Sequence, residues 1–358
     1  MKVMTIVGTR PEIIRLSAVI PKLDSHFEQV LVHTGQNYDY ELNEVFFEDL
    51  GVRTPDRFLN VDTSSLGRVY GDVLAKSEEA MLAEQPDAVV ILGDTNSAVA
   101  AMMARRMAIP VFHMEAGNRC FDWRVPEEMN RRIVDHISNY NLVYTEHARR
   151  NLLNEGIASA SIIKTGSPMN EVLAANREQI DASTALDDLG LTAGEYYLAS
   201  LHRQENVDDE ASCRALFDGL QQLGDRDGLQ VVVSTHPRTR KRIGSFGIAE
   251  SKRLSFLRPF GFHDYNKLQL AARCVISDSG TISEEAALLG FPGVSPRTAT
   301  ERPEGIDAGV FQLCKRDPQA ILAGVDLMTS RGSAPSIPDD YSITNTSDIV
   351  ANAILSFA

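Results

Sequence analysis

The sequence lacks the short motifs that identify several common enzyme classes. It contains no Gly-x-x-x-x-Gly-Lys-Ser/Thr loop, no Gly-x-Gly-x-x-Gly fingerprint and no Gly-x-Ser-x-Gly elbow. These motifs hold the phosphates of a nucleoside triphosphate, a dinucleotide cofactor and the nucleophile of an α/β-hydrolase, respectively. Their absence leaves an ATPase, a nicotinamide dehydrogenase and a serine hydrolase without support.

Cysteine is scarce, and neither cysteine nor histidine is spaced for metal binding. The four cysteines lie far apart and form no Cys-x-x-Cys pair, which is typical of reduced thiols in the cytosol. The histidines show neither His-x-x-x-His nor His-x-x-Glu-His spacing, the usual zinc patterns. We therefore expect no disulfide framework and no metal site.

An excess of positive charge and long apolar runs are also lacking. The 358 residues carry a net charge of -14, which argues against binding a nucleic-acid backbone. No run approaches the roughly 18 apolar residues of a membrane span, and no signal-peptide pattern opens the chain. We expect a soluble, cytoplasmic protein without nucleic-acid binding or membrane insertion, whereas a small anionic ligand needs only a few local arginines.

Short apolar runs alternate with amphipathic stretches, which predicts βα units around parallel sheets. This alternation is interrupted near residue 170, which favours two separate βα arrays over one very wide sheet. We predict helices at 11–23 and 97–107, and a C-terminal helix at 346–358 that packs on the first array. The predicted strands are 3–7, 29–33, 88–92, 111–114, 141–144 and 161–164, then 196–200, 229–234, 254–257, 273–277 and 292–295.

Acidic side chains follow two consecutive predicted strands of the first array, at the strand ends where open α/β sheets bind ligands. Asp94 follows one strand, and it fits a helix N-cap as well as an acid/base role. Glu115 follows the next strand between apolar neighbours. An apolar setting favours the protonated acid that a proton-transfer step needs, so Glu115 is the firmer acid/base candidate.

A further acidic pair, Glu127 and Glu128, follows Pro126 at a predicted helix start. Carboxylates at that position stabilise the positive end of a helix. Arg131 lies one turn further along, so an ordinary helix-surface ion pair is the alternative to a functional role. We expect one of the two glutamates to be structural.

Residues 8–12 (Gly-Thr-Arg-Pro-Glu) follow the first predicted strand and open a helix. The amides of a helix start attract anions, and Arg10 is placed to clamp a phosphate oxygen. Arg15, about one turn further, adds a second positive charge. The alternative is a plain βα turn with a surface arginine.

Residues 278–285 follow a buried strand and have the composition of a diphosphate and ribose site. Ser279, Gly280 and Thr281 offer amides and hydroxyls at a helix start, and a carboxylate one turn further is suited to the ribose hydroxyls. The alternative is a well-capped helix, because Asp and Ser both cap well.

His202 and His236 follow two neighbouring strands of the second array. A histidine at such a strand end either contacts a phosphate, acts as an acid, or is only hydrogen-bonded in the structure. Residues 300–305 form a polar loop after a strand, and loops of this kind often hold ligands.

Taken in order, these segments resemble the non-hydrolysing UDP-N-acetylglucosamine 2-epimerases. Each motif is weak by itself, but together they span about residues 3 to 310 in the family's order. The matching segments are 8–12, 93–95, 113–117, 126–131, 278–280, 284–285 and 300–304.

The resemblance implies an α/β fold of two Rossmann-like domains facing a cleft, as in the GT-B glycosyltransferases. We assign residues 1–168 to an N-terminal domain joined by the C-terminal helix 346–358, and residues 169–345 to a UDP-binding domain. The resemblance also implies a homodimer that needs no cofactor and supplies precursors of surface polysaccharides.

The implied reaction removes the C2 proton of a UDP-2-acetamido sugar and expels UDP, leaving a 2-acetamidoglycal. Return of the proton to the opposite face and re-addition of UDP then invert C2. Carried over by residue, the catalytic group is Asp94, Glu115, Glu127, Arg131 and His202. The UDP and substrate-binding group is Arg10, Arg15, Ser279, Gly280, Thr281, Glu285 and Arg302.

Departures from the common family pattern indicate a subgroup. Residues 118–125 replace a Leu-Arg and Gly-Asp-rich loop, Arg15 stands where lysine is usual, and Thr281 stands where glycine is usual. These variants resemble the enzymes that make UDP-N-acetyl-L-fucosamine from its L-talo precursor, and enzymes acting on a UDP-diacetamido-uronic acid are similar too. Residues 35–43 replace the segment with which several bacterial members bind a second, activating UDP-N-acetylglucosamine.

Three alternatives to a non-hydrolysing epimerase stay open. The same UDP-binding residues fit a GT-B glycosyltransferase, a hydrolysing 2-epimerase that releases UDP, or a nucleotide-sugar binder without activity. Retention of Asp94, Glu115 and Glu127 together argues against the silent binder, because binding alone does not need three acids.

Overall fold

The computed structural model describes residues 1–35, 47, 49–332 and 336–358 and divides into two compact units. The first unit is Met1–Ala175 with Asp339–Ala358, and the second is Asn176–Pro338. The chain leaves the first unit after Ala175 and returns to it at Asp339, in both cases a few residues from the boundary expected from the sequence. It returns earlier than expected because the carboxylate of Asp340 accepts from the Glu146 amide at 2.9 Å and from Lys164 at 2.8 Å, both in the first unit.

Each unit is built around one parallel sheet, which confirms the predicted fold class of two α/β arrays. The strands of the first unit are β1 (Lys2–Val7), β2 (Glu28–His33), β3 (Arg57–Phe58), β4 (Ala88–Leu92), β5 (Val111–Ala116), β6 (Tyr140–Val143) and β7 (Ile162–Lys164). Those of the second are β8 (Tyr196–Ser200), β9 (Gln230–Ser234), β10 (Leu254–Leu257), β11 (Cys274–Ser277), β12 (Gly293–Ser295) and β13 (Phe311–Leu313). Their spatial orders are β3-β2-β1-β4-β5-β6-β7 and β10-β9-β8-β11-β12-β13.

Helices connect the strands in both units. Their bounds are α1 (Arg10–Leu16), α2 (Val19–His26), α3 (Leu66–Glu84), α4 (Ala101–Arg106), α5 (Pro126–Ile137), α6 (Glu146–Asn154), α7 (Met169–Ala175), α8 (Arg177–Ala182), α9 (Ala185–Asp188), α10 (Gln204–Val207), α11 (Glu210–Asp227), α12 (Pro237–Phe246), α13 (Phe262–Ala271), α14 (Ile282–Leu289), α15 (Pro303–Asp307), α16 (Pro318–Thr329) and α17 (Thr346–Phe357). Single 3₁₀ turns occupy Asn96–Ala100, Ser159–Ser161 and Asp339–Tyr341.

Both helices predicted in the first array are interrupted. The one predicted at 11–23 is two helices, α1 and α2, separated where the Ser17 hydroxyl donates to the Ile14 carbonyl at 2.8 Å. Such side-chain bonds to the backbone compete with helix formation. The one predicted at 97–107 begins as the 3₁₀ turn and becomes α-helical only at α4.

The core of each unit lies against its sheet. Every residue of β4 is buried, as expected of a parallel strand covered on both faces. In the first unit Ile91 shares a hydrophobic cluster with Val73 of α3, and in the second Val233 shares one with Leu220 of α11. The C-terminal helix α17 lies in the first unit, where Phe357 stacks on Tyr140 with ring centroids 4.7 Å apart.

Each sheet has a point where the strand order reverses. In the first unit, β1 lies between β2 and β4, and in the second, β8 lies between β9 and β11. The connections that leave adjacent strands at such a point go to opposite sides and open a crevice for ligands. The four strands next to these crevices are β1, β4, β8 and β11. The segments that follow them are 8–12, 93–95, 201–203 and 278–281. Over the described part of the chain, no helix is both long enough and apolar enough to cross a membrane.

Candidate active site

Glu115 lies at the end of β5 in a rare backbone conformation. Its φ is +64°, in the left-handed region that residues other than glycine seldom adopt. The pairing of β5 with β6 shifts register between Met114 and Ala116, and such a bulge re-aims the side chain. Strain of this kind concentrates at functional sites.

The surroundings of Glu115 are more polar than its sequence neighbours predict. Its Oε2 lies 3.5 Å from Nη1 of Arg15, and its Oε1 accepts a hydrogen bond from the Asn118 amide at 3.2 Å. The expected apolar setting is therefore wrong, because folding brings a buried arginine from α1 to the end of β5.

Asp94 and Arg131 form the second charged pair of the first unit. The Arg131 Nη2 and Nε atoms lie 2.6 and 2.9 Å from the same carboxylate oxygen of Asp94. The alternative N-cap role for Asp94 is wrong, because Thr95 caps the following turn and accepts from the Ser97 amide. The Asp94 carboxylate is instead held by a buried guanidinium.

Glu128 is the structural member of the acidic pair at the start of α5. It is completely buried, and its carboxylate lies 3.0 Å from both Arg131 and Arg132 and accepts from the Cys120 amide at 3.1 Å. Glu127, in the same first turn, is only half-buried. The expectation that one of the two glutamates is structural is thus met by Glu128.

The Glu115 carboxylate lies close to the start of the loop that carries Asp94. Gly93, the residue before Asp94, has a φ of +72°, and a β-carbon placed on it would lie only 3.6 Å from Oε2 of Glu115. The Glu115 carboxylate therefore lies against the backbone that carries Asp94.

Glu12 has a role in this region that the sequence prediction missed. Its Oε2 accepts from the amides of Gly8 and Thr9 at 2.6 and 2.7 Å, and its Oε1 accepts from the Thr95 hydroxyl at 2.6 Å. Burial raises the pKa of Glu12 to about 7, against the opposing effect of these donors. Thr9 and Glu12 form a capping box, so the spacing Thr-x-x-Glu was the available signal.

The two arginines predicted on α1 differ in exposure. Arg10 is the first residue of the helix and is half-buried. Arg15 is buried beside Glu115, with its guanidinium carbon 5.7 Å from the centre of the Tyr144 ring. Arg15 thus belongs to the surroundings of a candidate acid.

Asp278 organises the loops of the second unit. It is completely buried, and its carboxylate accepts from the amides of His202 and Arg203 at 3.0 Å and from the Asn206 side chain at 2.9 Å. It does not cap α14, whose N-cap is Thr281. The capped-helix alternative therefore does not describe Asp278, which ties the loop after β11 to the loop after β8.

His202 and Arg203 lie beside the predicted phosphate loop. The His202 Nδ1 lies 3.1 Å from Oδ1 of Asp278. Arg203 donates from Nε to the Asp278 carbonyl at 2.9 Å, and its Nη2 would lie 3.5 Å from a β-carbon on Gly280. The sequence prediction missed Arg203, since nothing in the local sequence distinguishes it from a surface arginine.

The remaining predicted residues of the second unit lie at and behind the start of α14. The Ser279 and Thr281 hydroxyls lie 2.8 Å apart, and Thr281 makes no side-chain cap bond. Glu285 accepts from the Gln269 amide at 2.7 Å. Arg302 is buried with Nη2 3.4 Å from Glu284 of α14, so its contact braces this helix.

The predicted residues thus form two groups, one in each unit. The first contains Asp94, Glu115, Arg131 and Arg15, and the second contains His202, Ser279, Gly280 and Thr281. Residues 36–43 of the segment linked to activation lie outside the described residues. Among the residues described, no three or more His, Cys, Asp or Glu side chains are grouped to hold a metal ion.

Comparisons with known proteins identify the family of this chain. Residues 21–355 match the family model for UDP-N-acetylglucosamine 2-epimerase. The structure of UDP-N-acetylglucosamine 2-epimerase from Rickettsia bellii is 44% identical, with a TM-score of 0.93 over 100% of this chain and 96% of that chain. The UDP-GlcNAc 2-epimerase from Methanocaldococcus jannaschii, solved in complex with UDP-GlcNAc and UDP, is 32% identical, with a TM-score of 0.94 over 100% of both chains.

A relative with a different named substrate is similarly close. The UDP-2,3-diacetamido-2,3-dideoxy-D-glucuronate 2-epimerase of Pseudomonas aeruginosa is 34% identical over 86% of this chain and 87% of that protein. All three relatives are named as 2-epimerases of UDP-linked acetamido sugars. The chain belongs to the UDP-N-acetylglucosamine 2-epimerase family and is an isomerase.

Proposed function

We propose that this chain inverts C2 of a UDP-2-acetamido sugar by expelling UDP and adding it back, without a redox cofactor. The observation that carries the proposal is the position of the Glu115 carboxylate against Gly93, the residue before Asp94. Two acids at neighbouring strand ends suit a reaction that removes a proton from one face of a carbon and returns it to the other.

In the first half of the reaction, a carboxylate takes the C2 proton while the bond from C1 to the UDP oxygen breaks. The electron pair of the C2–H bond becomes the C1–C2 double bond of a 2-acetamidoglycal, and UDP leaves with the electrons of the C–O bond. No carbonyl adjoins C2, so its proton is weakly acidic and is lost only with, or after, the departure of UDP. Stabilisation of the leaving diphosphate therefore lowers the barrier directly.

In the second half, an acid delivers a proton to the opposite face of C2 and the UDP oxygen re-forms its bond to C1. The proposed proton carriers are Asp94, Glu115 and Glu127. Arg131 orients Asp94 by its two short contacts. Arg15 lies beside Glu115 at a longer distance.

The second unit supplies the proposed diphosphate site. Ser279, Gly280 and Thr281 precede α14, whose N-terminal end attracts a phosphate. His202 and Arg203 follow β8 and add donors to the same point, since Asp278 holds their backbone. The other proposed contacts are Arg10 with the diphosphate, Glu285 with the ribose, and Arg302 through its support of α14.

The named substrates of the relatives support a UDP-2-acetamido sugar as the substrate class. UDP-GlcNAc is the first member to test, because it is bound in the Methanocaldococcus jannaschii relative. Residues 118–125 favour UDP-2-acetamido-2,6-dideoxy-L-talose, the precursor of UDP-N-acetyl-L-fucosamine, as the second. The uronic-acid substrate named for the Pseudomonas aeruginosa relative is the third. A product of this class would serve surface polysaccharide synthesis.

Proton NMR in D₂O of the purified protein with each of the three sugars tests the proposal. We expect epimerised product carrying deuterium at C2, and the sugar with the highest kcat/KM identifies the substrate. Epimerised product without deuterium would contradict the elimination route. Transfer of the sugar to an acceptor without C2 exchange would indicate a glycosyltransferase, and release of stoichiometric UDP with a free sugar would indicate a hydrolysing enzyme. Light scattering of the same sample tests the expected homodimer.

A further inference from the structure

A buried polar network lies beside the two loops that carry Asp94 and Glu115. His113, on β5, is completely buried. Its Nε2 lies 2.7 Å from the carbonyl oxygen of Gly93, and its Nδ1 lies 2.9 Å from Oδ1 of Asp135. One imidazole ring therefore joins three elements, namely strand β5, the loop after β4 and helix α5.

Both ring nitrogens of His113 face hydrogen-bond acceptors. The Gly93 carbonyl can only accept, so Nε2 carries a proton. Burial opposes ionisation of Asp135, but its contacts with His113 and Arg119 outweigh burial and hold the pKa of Asp135 below its ordinary range. An ionised carboxylate also only accepts, so Nδ1 lies 2.9 Å from a second acceptor.

Asp135 connects this histidine to the backbone that follows Glu115. Its two carboxylate oxygens each lie 3.2 Å from the amide nitrogen of Gly117, and Arg119 Nη1 lies 2.6 Å from Oδ2. Gly117 has a φ of +81°, and a β-carbon there would lie 2.4 Å from the carbonyl oxygen of Ala148. The chain after Glu115 is thus confined to one path, and Asp135 holds it there.

We propose that His113 is a positioning residue that sets the spacing of Asp94 and Glu115. It holds the Gly93 carbonyl immediately before Asp94 and, through Asp135, the Gly117 amide two residues after Glu115. Polar contacts that converge on one buried ring restrict the motion of the groups around it. The inference rests on the proposed function, because it requires these two acids to act on one carbon atom, where a displacement of about 1 Å costs about 10² in rate.

The variant His113→Gln keeps an amide donor but cannot reach both acceptors at once. We expect its kcat to fall by about 10- to 100-fold, whereas the Kd for UDP, measured by calorimetry, stays within about twofold of the wild-type value. UDP is the appropriate probe because its proposed ligands in the second unit, His202 and residues 279–281, are not part of this network. Loss of UDP binding together with kcat would overturn the positioning role.

Val111→Ala is the matched control for a general loss of stability. Val111 lies on the same strand, is buried in the hydrophobic core and belongs to the cluster against α4. We expect Val111→Ala to lower the thermal midpoint while keeping kcat near the wild-type value at a temperature where the protein is folded. An equal loss of kcat in Val111→Ala and His113→Gln would overturn the inference.

A spectroscopic signature tests the network independently of activity. In H₂O, the proton NMR spectrum of the wild-type protein should show a slowly exchanging, far-downfield signal from the Nε2 proton that disappears in His113→Gln. The second variant, Asp135→Asn, should shift this signal and lower kcat. A wild-type spectrum without such a signal would overturn the network. Failure of the proposed function is distinct, since it appears as a wild-type enzyme without C2 exchange.

Discussion

The candidate sites of the two units place their carboxylates differently. In the first unit each of two acids lies at a strand end with an arginine beside it, Arg15 at Glu115 and Arg131 at Asp94. In the second unit the carboxylate of Asp278 is completely buried and holds the backbone of His202 and Arg203 from behind. The first arrangement offers fixed acids, and the second offers donors.

This difference matches two chemical tasks. Proton transfer needs acids held at a defined distance from one carbon atom, and a leaving diphosphate needs preorganised donors. We therefore expect changes in the first unit to lower turnover, and changes in the second to weaken UDP binding. This division of tasks would be contradicted if changes in the first unit mainly weakened UDP binding and changes in the second mainly lowered turnover.

The largest effect is expected from Glu115→Gln. The amide keeps the shape of the side chain but cannot exchange a proton, so turnover should fall by on the order of 10² or more. The Kd for UDP should stay close to the wild-type value. The measurement is kcat by proton NMR beside calorimetry with UDP.

Glu79→Gln is the control for this experiment, because Glu79 is an exposed glutamate on α3 of the same unit. It should keep full turnover. Near-normal turnover of Glu115→Gln would remove Glu115 from the group of proton carriers and leave Asp94 and Glu127.

The next effect concerns stability and pH, and it depends on Glu12. The folded-state pKa of about 7 lies above the ordinary value of 4.5, so the stability that Glu12 contributes is fully present below about pH 4.5 and is lost as the pH rises through 7. Relative to Glu12→Gln, the free energy of unfolding of the wild type should fall by about 2–3 kcal/mol between pH 5 and 8.

Urea unfolding of both proteins at several pH values measures this difference. The variant cancels the contributions of every other titrating group, since those are common to both chains. Parallel stability curves for the two proteins would show that Glu12 does not titrate in this range. A wild type that gains stability as the pH rises would show that its donors from Gly8, Thr9 and Thr95 outweigh its burial.

A smaller effect is expected from Asp278→Asn in the second unit. The amide cannot accept from all the donors that the carboxylate holds, so the loop with His202 and Arg203 loses order. We expect about a tenfold weaker Kd for UDP, or about 1.4 kcal/mol, with kcat at saturating substrate changed much less. Asp187→Asn, at an exposed aspartate of the same unit, should leave both unchanged. A loss of kcat without a change in Kd would contradict the division of tasks.

The strands and strand-end loops were largely predictable from local pattern. The strands predicted at 88–92, 196–200 and 254–257 have the observed bounds, because continuous apolar runs between turn residues mark buried parallel strands. The strands Arg57–Phe58 and Phe311–Leu313 were not predicted, since two or three residues show no period. Glu12 and His113 were present in recognised segments and Arg203 follows the recognised His202, but their roles were not predicted.

The contacts that define those roles join residues far apart in the chain. Arg131 and Asp94 are 37 residues apart, and the Asp278 carboxylate and the His202 amide are 76 residues apart. A local pattern cannot show which of several acids an arginine will meet. The apolar sequence around Glu115 was misleading for the same reason, since Arg15 reaches it from α1.

The order of apolar runs, turns and polar strand ends was enough to determine two parallel α/β arrays and the polar loops at their strand ends. Those features depend on periods of a few residues and on the rule that parallel strands end at one edge of a sheet. Only the tertiary structure decided which carboxylates are held by arginines, which one is buried behind a loop, and which histidine joins two loops. These outcomes depend on burial and on partners brought together by the sheet, and both arise only when the chain is packed.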